Sequence, residues 1–193
     1  MRTHSIRFAY ALGLDATTTS LSFYMEMAMG SKQVQKVSAV LLSGGWESAL
    51  CLINAMAEGE VHAYFFDYGQ PYAKQEYKAV SNLQKKFNFP LKIVKLDAIA
   101  QADGVFDRRN EYFIRYLVEQ GEKVIYFGSR CPYAFLDKYK DSNKQFANKI
   151  AEELGITILT PALWLFKFMV KSYVLDNGVT HADIFSSEGY KYE

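Results

Sequence analysis

The clearest chemical signal in the sequence is the run Ser43-Gly44-Gly45-Trp46-Glu47-Ser48. It follows an apolar stretch predicted to be a strand, residues 37–42, and it opens a predicted helix. Glycines let the backbone turn tightly and approach a ligand closely. The free N–H groups at a helix start, with the positive end of the helix dipole, hold phosphate. We therefore expect this loop to bind nucleotide phosphates, with the hydroxyls of Ser43 and Ser48 as further donors.

The elements that must position this loop alternate regularly along the chain. Apolar runs predict five strands, at residues 37–42, 61–66, 91–96, 124–127 and 156–159. Amphipathic patterns predict helices at 47–57, 73–87, 110–120, 142–154 and 166–175. Such alternation is typical of a parallel sheet with helices on both faces and right-handed crossovers. Because ligands bind beyond the carboxyl ends of such strands, residues 43–48, 67–70 and 128–133 are the first candidates for a site.

The N-terminal segment follows a different pattern. Apolar residues alternate with others on either side of Gly13-Leu14-Asp15, which predicts a β-hairpin. We expect a hairpin extension over residues 1–35 and one α/β domain over residues 36–193. The apolar face of the hairpin needs a partner, either the main domain or another subunit. The alternating apolar residues are Ile6, Phe8, Tyr10 and Leu12, then Leu21, Phe23, Met25 and Met27.

Composition limits the possible functions. The formal net charge is +1, so bulk charge gives no argument for direct nucleic-acid binding. Cys51 lies in an apolar helical pattern and is predicted to pack as a small buried residue. With two cysteines and three histidines that lack ligand spacing, we expect no zinc site. No apolar run is long enough to span a bilayer and no signal peptide is evident, so we expect a cytoplasmic protein with no membrane partner.

Several motifs, in order, carry a family resemblance. The loop resembles the PP-loop of the ATP pyrophosphatase superfamily. Phe66-Asp67-Tyr68-Gly69-Gln70 and then Ala73-Lys74 resemble the 7-cyano-7-deazaguanine synthases of queuosine-precursor synthesis. The resemblance spans residues 37–189 and implies a Rossmann-like, five-stranded parallel sheet of the PP-loop/HUP type. Further matching segments are Arg109-Asn110, Gly128, Tyr139-x-Asp141, Phe146 and Thr160-Pro161-x-x-Trp164-Leu165-x-Lys167.

The resemblance implies an ATP-dependent ligase. Such an enzyme activates a deazaguanine carboxylate with ATP for attack by ammonia, and a second activation dehydrates the amide to a nitrile. Mg²⁺ would accompany the ATP phosphates, and a homodimer is plausible. Three groups of residues follow: for ATP Ser43, Gly44, Gly45, Glu47, Ser48 and Gly128; for catalysis Lys167, Asp67 and Arg109; for the small carboxylate substrate Tyr68, Gln70, Asn110, Tyr133 and Asp141. Lys167 would add a cation near phosphate, and Asp67 would bind ATP or help to position Mg²⁺. Tyr68, Tyr133 and Trp164 are the candidates to stack on a base.

The sequence also departs from the family. Glu47 replaces the usual aspartate of the loop, and Pro71-Tyr72 and Gln75 replace an Arg-His pair and a glutamate. We therefore expect two hydrogen-bond donors and one carboxylate to be missing from the substrate side. Residues 97–108 replace a long insertion, and 185–190 stand where a zinc-binding cysteine cluster would begin.

Other readings remain open. A catalytically reduced nucleotide-binding or assembly protein on the same fold is the main alternative. Another PP-loop reaction, such as thiolation with Cys131, is the third.

Overall fold

The computed structural model describes residues 37–96, 108–129 and 142–186. All of them belong to the unit that runs from Val34 to Glu193. The predicted hairpin, with the domain boundary at residue 35, lies outside the described residues and stays a prediction. The same holds for Cys131, Tyr133 and Asp141.

The described residues form a parallel five-stranded sheet. Its strands are β1 (Val37–Leu41), β2 (Glu60–Asp67), β3 (Leu91–Lys95), β4 (Val124–Tyr126) and β5 (Thr157–Leu159). They lie in the order β3-β2-β1-β4-β5, and each neighbouring pair is parallel. The chain winds outward from β1 to β3 and then returns to β4 on the other side of β1. The switch point therefore lies between β1 and β4, and the predicted Rossmann-like fold is confirmed.

The helices have almost the predicted bounds. They are α1 (Trp46–Glu58), α2 (Ala73–Phe87), α3 (Arg109–Glu119), α4 (Lys144–Leu154) and α5 (Lys167–Asp176), followed by a 3₁₀ turn at His181–Asp183. The largest difference is at α4, predicted to begin at Ser142. The side chain of Asn143 accepts a hydrogen bond from the Phe146 N–H at 2.8 Å. Because Asn143 thereby acts as the N-cap, the helix begins at Lys144.

Two hydrophobic clusters hold helices on opposite faces of the sheet. One contains Leu50 of α1, Val80 of α2 and Val170 of α5. The other contains Ile114 of α3 and Ile150 of α4. This confirms the predicted arrangement of helices on both faces. The loops at the carboxyl ends of the strands are thereby fixed by a packed core on each side.

Burial of side chains on the helices can be compared at α1 and α2. Cys51 is fully buried in α1, as predicted, and burial raises the pKa of its thiol. On α2, Val80 and Leu83 are fully buried, whereas Tyr77 is 44% exposed, with its ring 5.9 Å from that of Phe65. Among the described helices, none is both long and apolar enough to cross a membrane.

Candidate active site

The loop after β1 turns through a left-handed glycine. Gly44 has φ +79°, and Gly45 then serves as the N-cap of α1 with extended backbone angles. No side chain caps this helix start, so its first N–H groups point out of the helix as donors for an anion. The loop therefore has the backbone geometry that the sequence predicted.

The two serines of the loop brace it from within. Ser48 is buried, and its hydroxyl donates to the Gly45 carbonyl at 3.0 Å. The Ser43 N–H and the Ser43 hydroxyl each reach the Ser48 oxygen at 3.3 Å. Ser43 itself is exposed. Ser48 thus shapes the loop, whereas the Ser43 side chain is exposed to solvent.

Glycines are needed where the loop touches its neighbours. A Cβ on Gly44 would lie 2.8 Å from the Ala79 Cβ and 3.0 Å from the Glu76 carbonyl oxygen of α2. A Cβ on Gly128, just after β4, would lie 2.9 Å from the backbone nitrogen of Ser48. The start of α1 therefore lies directly over the end of β4, at the switch point. Tight packing fixes the loop between α2 on one side and β4 on the other.

A chain segment near the C-terminus also contacts the loop. The Phe185 N–H donates to the Gly44 carbonyl at 3.0 Å, and the rings of Phe185 and Tyr72 are 5.9 Å apart. Trp46, buried at the start of α1, meets the ring of His181 at 5.0 Å. The loop is thus held on its outer side as well, by residues that the sequence did not connect with it.

A second group of polar residues lies at the end of β2. Gln70 is buried, and its side-chain oxygen accepts from the Tyr68 N–H at 2.9 Å. Its amide nitrogen donates to the Phe66 carbonyl at 3.1 Å and to the Glu76 carboxylate at 2.8 Å. Gln70 therefore positions the turn and Glu76. Its predicted direct contact with substrate remains a prediction.

Arg109, the first residue of α3, joins this group. Its guanidinium donates to the Tyr68 hydroxyl at 2.9 Å and lies over the Tyr68 ring at 5.7 Å. The preceding residue, Arg108, has φ +54°, a left-handed conformation that is costly for a side chain other than glycine. Asp67 ends β2 and accepts from the Gly69 N–H at 3.3 Å. The structure thus places Asp67, Tyr68, Gln70 and Arg109 in one group, and their predicted roles in catalysis and substrate binding remain predictions.

Glu76 is the residue of this group that sequence reasoning missed. The replacement of a glutamate by Gln75 was expected to remove a carboxylate, and this expectation was wrong. Glu76, one position later on α2, turns its partly buried carboxylate into the group and accepts from Gln70. Burial is the main cause that raises the pKa of Glu76 to about 7; the Gln70 hydrogen bond and Arg109 oppose the rise, and Asp67 adds to it. The adjacent Gln-Glu pair in the sequence was the available signal.

The remaining predicted residues lie at other strand ends. Asn110 is buried and donates to the Ser142 hydroxyl at 2.9 Å, and the Ser129 hydroxyl donates to the Ser142 carbonyl. Lys167 begins α5, beyond the end of β5. Glu47 is in the first turn of α1, where a carboxylate favours the helix dipole. Trp164 is 64% exposed.

Metal binding by side chains has little support in this region. Within the described residues, no group of three or more His, Cys, Asp or Glu side chains is arranged to hold a metal ion. Mg²⁺ that arrives on nucleotide phosphates does not need such a group. The predicted association of Mg²⁺ with the phosphates is therefore compatible with the residues present.

Comparison with known proteins supports the resemblance inferred from the sequence motifs. The profile of the queuosine biosynthesis protein QueC matches residues 37–124. The 7-cyano-7-deazaguanine synthase of Thermoplasma volcanium is 46% identical over 63 residues, 32% of this chain and 26% of that protein. The enzyme of the same name from Pseudoalteromonas translucida is 44% identical over 71 residues, 36% of this chain and 32% of that protein. The alignments thus span about a quarter to a third of these relatives.

Solved structures share the fold at low sequence identity. A predicted subunit of tRNA methyltransferase from Methanocaldococcus jannaschii has a TM-score of 0.53 and 14% identity, over 73% of this chain and 75% of that one. The NH3-dependent NAD synthetase of Campylobacter jejuni has a TM-score of 0.50 and 16% identity, over 89% and 75%.

The matched segment covers β1 to the start of β4 and so includes the nucleotide loop and the Asp67–Glu76 turn. Residues 37–124 are therefore similar to the QueC family and to the 7-cyano-7-deazaguanine synthases, and the described residues share the fold of these two solved structures.

Proposed function

We propose that this chain is an ATP-dependent carbon–nitrogen ligase that activates a 7-deazaguanine-type carboxylate for attack by ammonia. The observation that carries the proposal is the glycine loop at the switch point. Its helix start has no side-chain cap, and the loop packs against α2 and β4. Within the QueC-matched segment, this loop and the Asp67–Glu76 turn follow β1 and β2, adjacent strands of the sheet.

The position of each residue suggests its role in the proposed reaction. Backbone N–H groups of the loop and the Ser43 hydroxyl bind phosphate, and Ser48 and Gly128 keep the loop in shape. Lys167 supplies a cation for the developing charge on phosphate. Arg109, Asp67 and Tyr68 hold the carboxylate substrate beside the nucleotide, with Asn110, Tyr133 and Asp141 as further contacts. Holding both reactants in one crevice lowers the entropic barrier to acyl transfer.

ATP binding is tested first, by thermal unfolding with and without Mg²⁺ and ATP. A ligand at about a hundred times its Kd stabilises the folded state by about 2.7 kcal/mol. For a chain of this size that is a rise in Tm of roughly 5–10 °C. Ser48→Ala should reduce the rise because the loop loses its internal brace. Ser172→Ala, an exposed serine on α5, is the matched control and should keep the full rise.

Catalysis is tested by incubation with ATP, ammonium and 7-carboxy-7-deazaguanine. We expect pyrophosphate release that depends on the carboxylate, with the amide and then the nitrile detected by mass spectrometry. A stabilisation by ATP with no turnover would instead favour the nucleotide-binding or assembly protein. No stabilisation at millimolar ATP would refute nucleotide binding and the ligase function, and would favour an assembly role on the same fold.

A further inference from the structure

Glu76 lies between the nucleotide loop and the polar group at the end of β2, yet the proposed function gives it no role. Its backbone carbonyl packs against Gly44 of the nucleotide loop. Its side chain reaches the other way and accepts from Gln70 at 2.8 Å. Gln70 is itself buried and held by two backbone groups. The carboxylate is therefore held by Gln70, on a residue whose backbone lies against the loop.

The surroundings of Glu76 suit a small cation. The charged and titratable groups that interact with it are Asp67 at the end of β2, Tyr68 just beyond and Arg109 on α3. Two carboxylates beside one guanidinium leave a net negative charge when both are ionised. Ammonium, the main form of ammonia at neutral pH, is a cation of suitable size, but it must lose a proton before it can act as a nucleophile.

We propose that Glu76 is a catalytic base that takes a proton from ammonium, so that ammonia attacks the activated carboxylate. This inference rests on the proposed ligase function. The N–H bond of ammonium breaks and the proton passes to the Glu76 carboxylate. A C–N bond then forms at the acyl carbon, and the C–O bond to the phosphate of AMP breaks. AMP leaves with the electron pair, and the second proton lost as the amide forms passes to water.

The acidity of Glu76 agrees with this role. Burial raises its pKa to about 7, against the opposing effects of Gln70 and Arg109. A general base is most effective when its pKa lies near the working pH. An ordinary exposed glutamate, with a pKa of about 4.3, is a poor acceptor for an ammonium proton.

Three assays on the full chain separate the steps. Exchange of pyrophosphate into ATP with 7-carboxy-7-deazaguanine reports activation alone. Amide formation from ammonium requires the base. Hydroxamate formation from hydroxylamine, which is largely unprotonated at neutral pH, does not. Glu76→Gln keeps a side-chain oxygen for Gln70, so the fold should survive, and thermal unfolding checks this. Glu152→Gln, at an exposed position on α4, is the matched control.

For Glu76→Gln we expect exchange and hydroxamate formation close to the native rates. Amide formation should fall about 10²- to 10⁴-fold, and its rise with pH near neutrality should disappear. Native amide formation in this variant, or an equal loss of amide and hydroxamate, would overturn the role of Glu76 alone. A native protein with no exchange would instead refute the ligase function, and the role of Glu76 with it.

Discussion

The nucleotide loop and the group around Glu76 lie side by side but are built by different means. The loop is made of backbone, and its essential residues are glycines and a buried serine that braces the turn. The other group is made of side chains from β2, α2 and α3 that bond to one another. The first is local in sequence, since its residues fall between positions 43 and 48 apart from Gly128. The second exists only because three elements converge.

Because of this difference, the two regions should be sensitive to different substitutions. A backbone site is sensitive to any added atom, because neighbouring main chain cannot move aside. A side-chain site is sensitive to the loss of a partner, because a buried polar group left unpaired is costly.

The largest loss of stability is expected at Gly44. Gly44→Ala adds left-handed strain to a 2.8 Å approach to the Ala79 Cβ, and should lower the free energy of unfolding by about 2–5 kcal/mol. Gly128→Ala causes a steric clash with the Ser48 backbone but needs no left-handed conformation. Gly121→Ala forces alanine into a left-handed conformation, but its added Cβ has no atom within 4 Å. Urea unfolding should rank Gly44→Ala as the most damaging and Gly121→Ala as the mildest. Equal losses for all three would show that the loop is not tightly packed.

Glu76 should make stability depend on pH. Its folded pKa of about 7 lies above its unfolded value, so between about pH 4.5 and 7 the folded state holds a proton that the unfolded state has released. Stability therefore falls as pH rises through this window, by up to roughly 3 kcal/mol, and levels off above it. Urea unfolding from pH 4 to 9 measures the change. Glu76→Gln should remove this component, whereas Glu152→Gln should keep it.

Loss of the Gln70 side chain should destabilise the fold because its hydrogen-bond partners are left unpaired. Gln70→Ala leaves the Tyr68 N–H and the Phe66 carbonyl without their side-chain partner, and should lower the free energy of unfolding by about 1–3 kcal/mol. It should also raise the pKa of Glu76 further, because the hydrogen bond from Gln70 lowers it. Gln84→Ala on α2 is the control, because the Gln84 side chain donates to the Phe89 carbonyl over a long 3.4 Å. If both variants lose the same stability, the network at Gln70 has no special weight.

The smallest effect on stability is expected at Ser43. Ser43 is exposed, so Ser43→Ala should change the free energy of unfolding by less than about 0.5 kcal/mol. It should nevertheless weaken ATP binding by up to about 1.5 kcal/mol, the usual worth of one hydrogen bond. Calorimetric titration with Mg²⁺ and ATP measures this. An unchanged affinity would mean that backbone donors alone hold the phosphates.

Local patterns in the sequence were sufficient to predict the fold and the glycine loop after β1. Strand and helix periods are local properties, and burial of one face of each element leaves few arrangements for a βα series. The loop could be read because a helix start with glycines binds anions through its own backbone. Even the offset at α4 follows from one local hydrogen bond, the cap at Asn143.

Which side chains meet, by contrast, depends on the packing of the whole domain. Motif spacing predicted a lost carboxylate at Gln75, whereas the packing of α2 against Gly44 turns Glu76 into the group instead. Nor did the sequence connect Phe185 with Gly44, more than a hundred positions apart. Such contacts depend on how far each helix is rotated and how closely it packs, which a local pattern does not specify. The raised pKa of Glu76 has the same origin, because burial is a property of the folded chain and of no single segment.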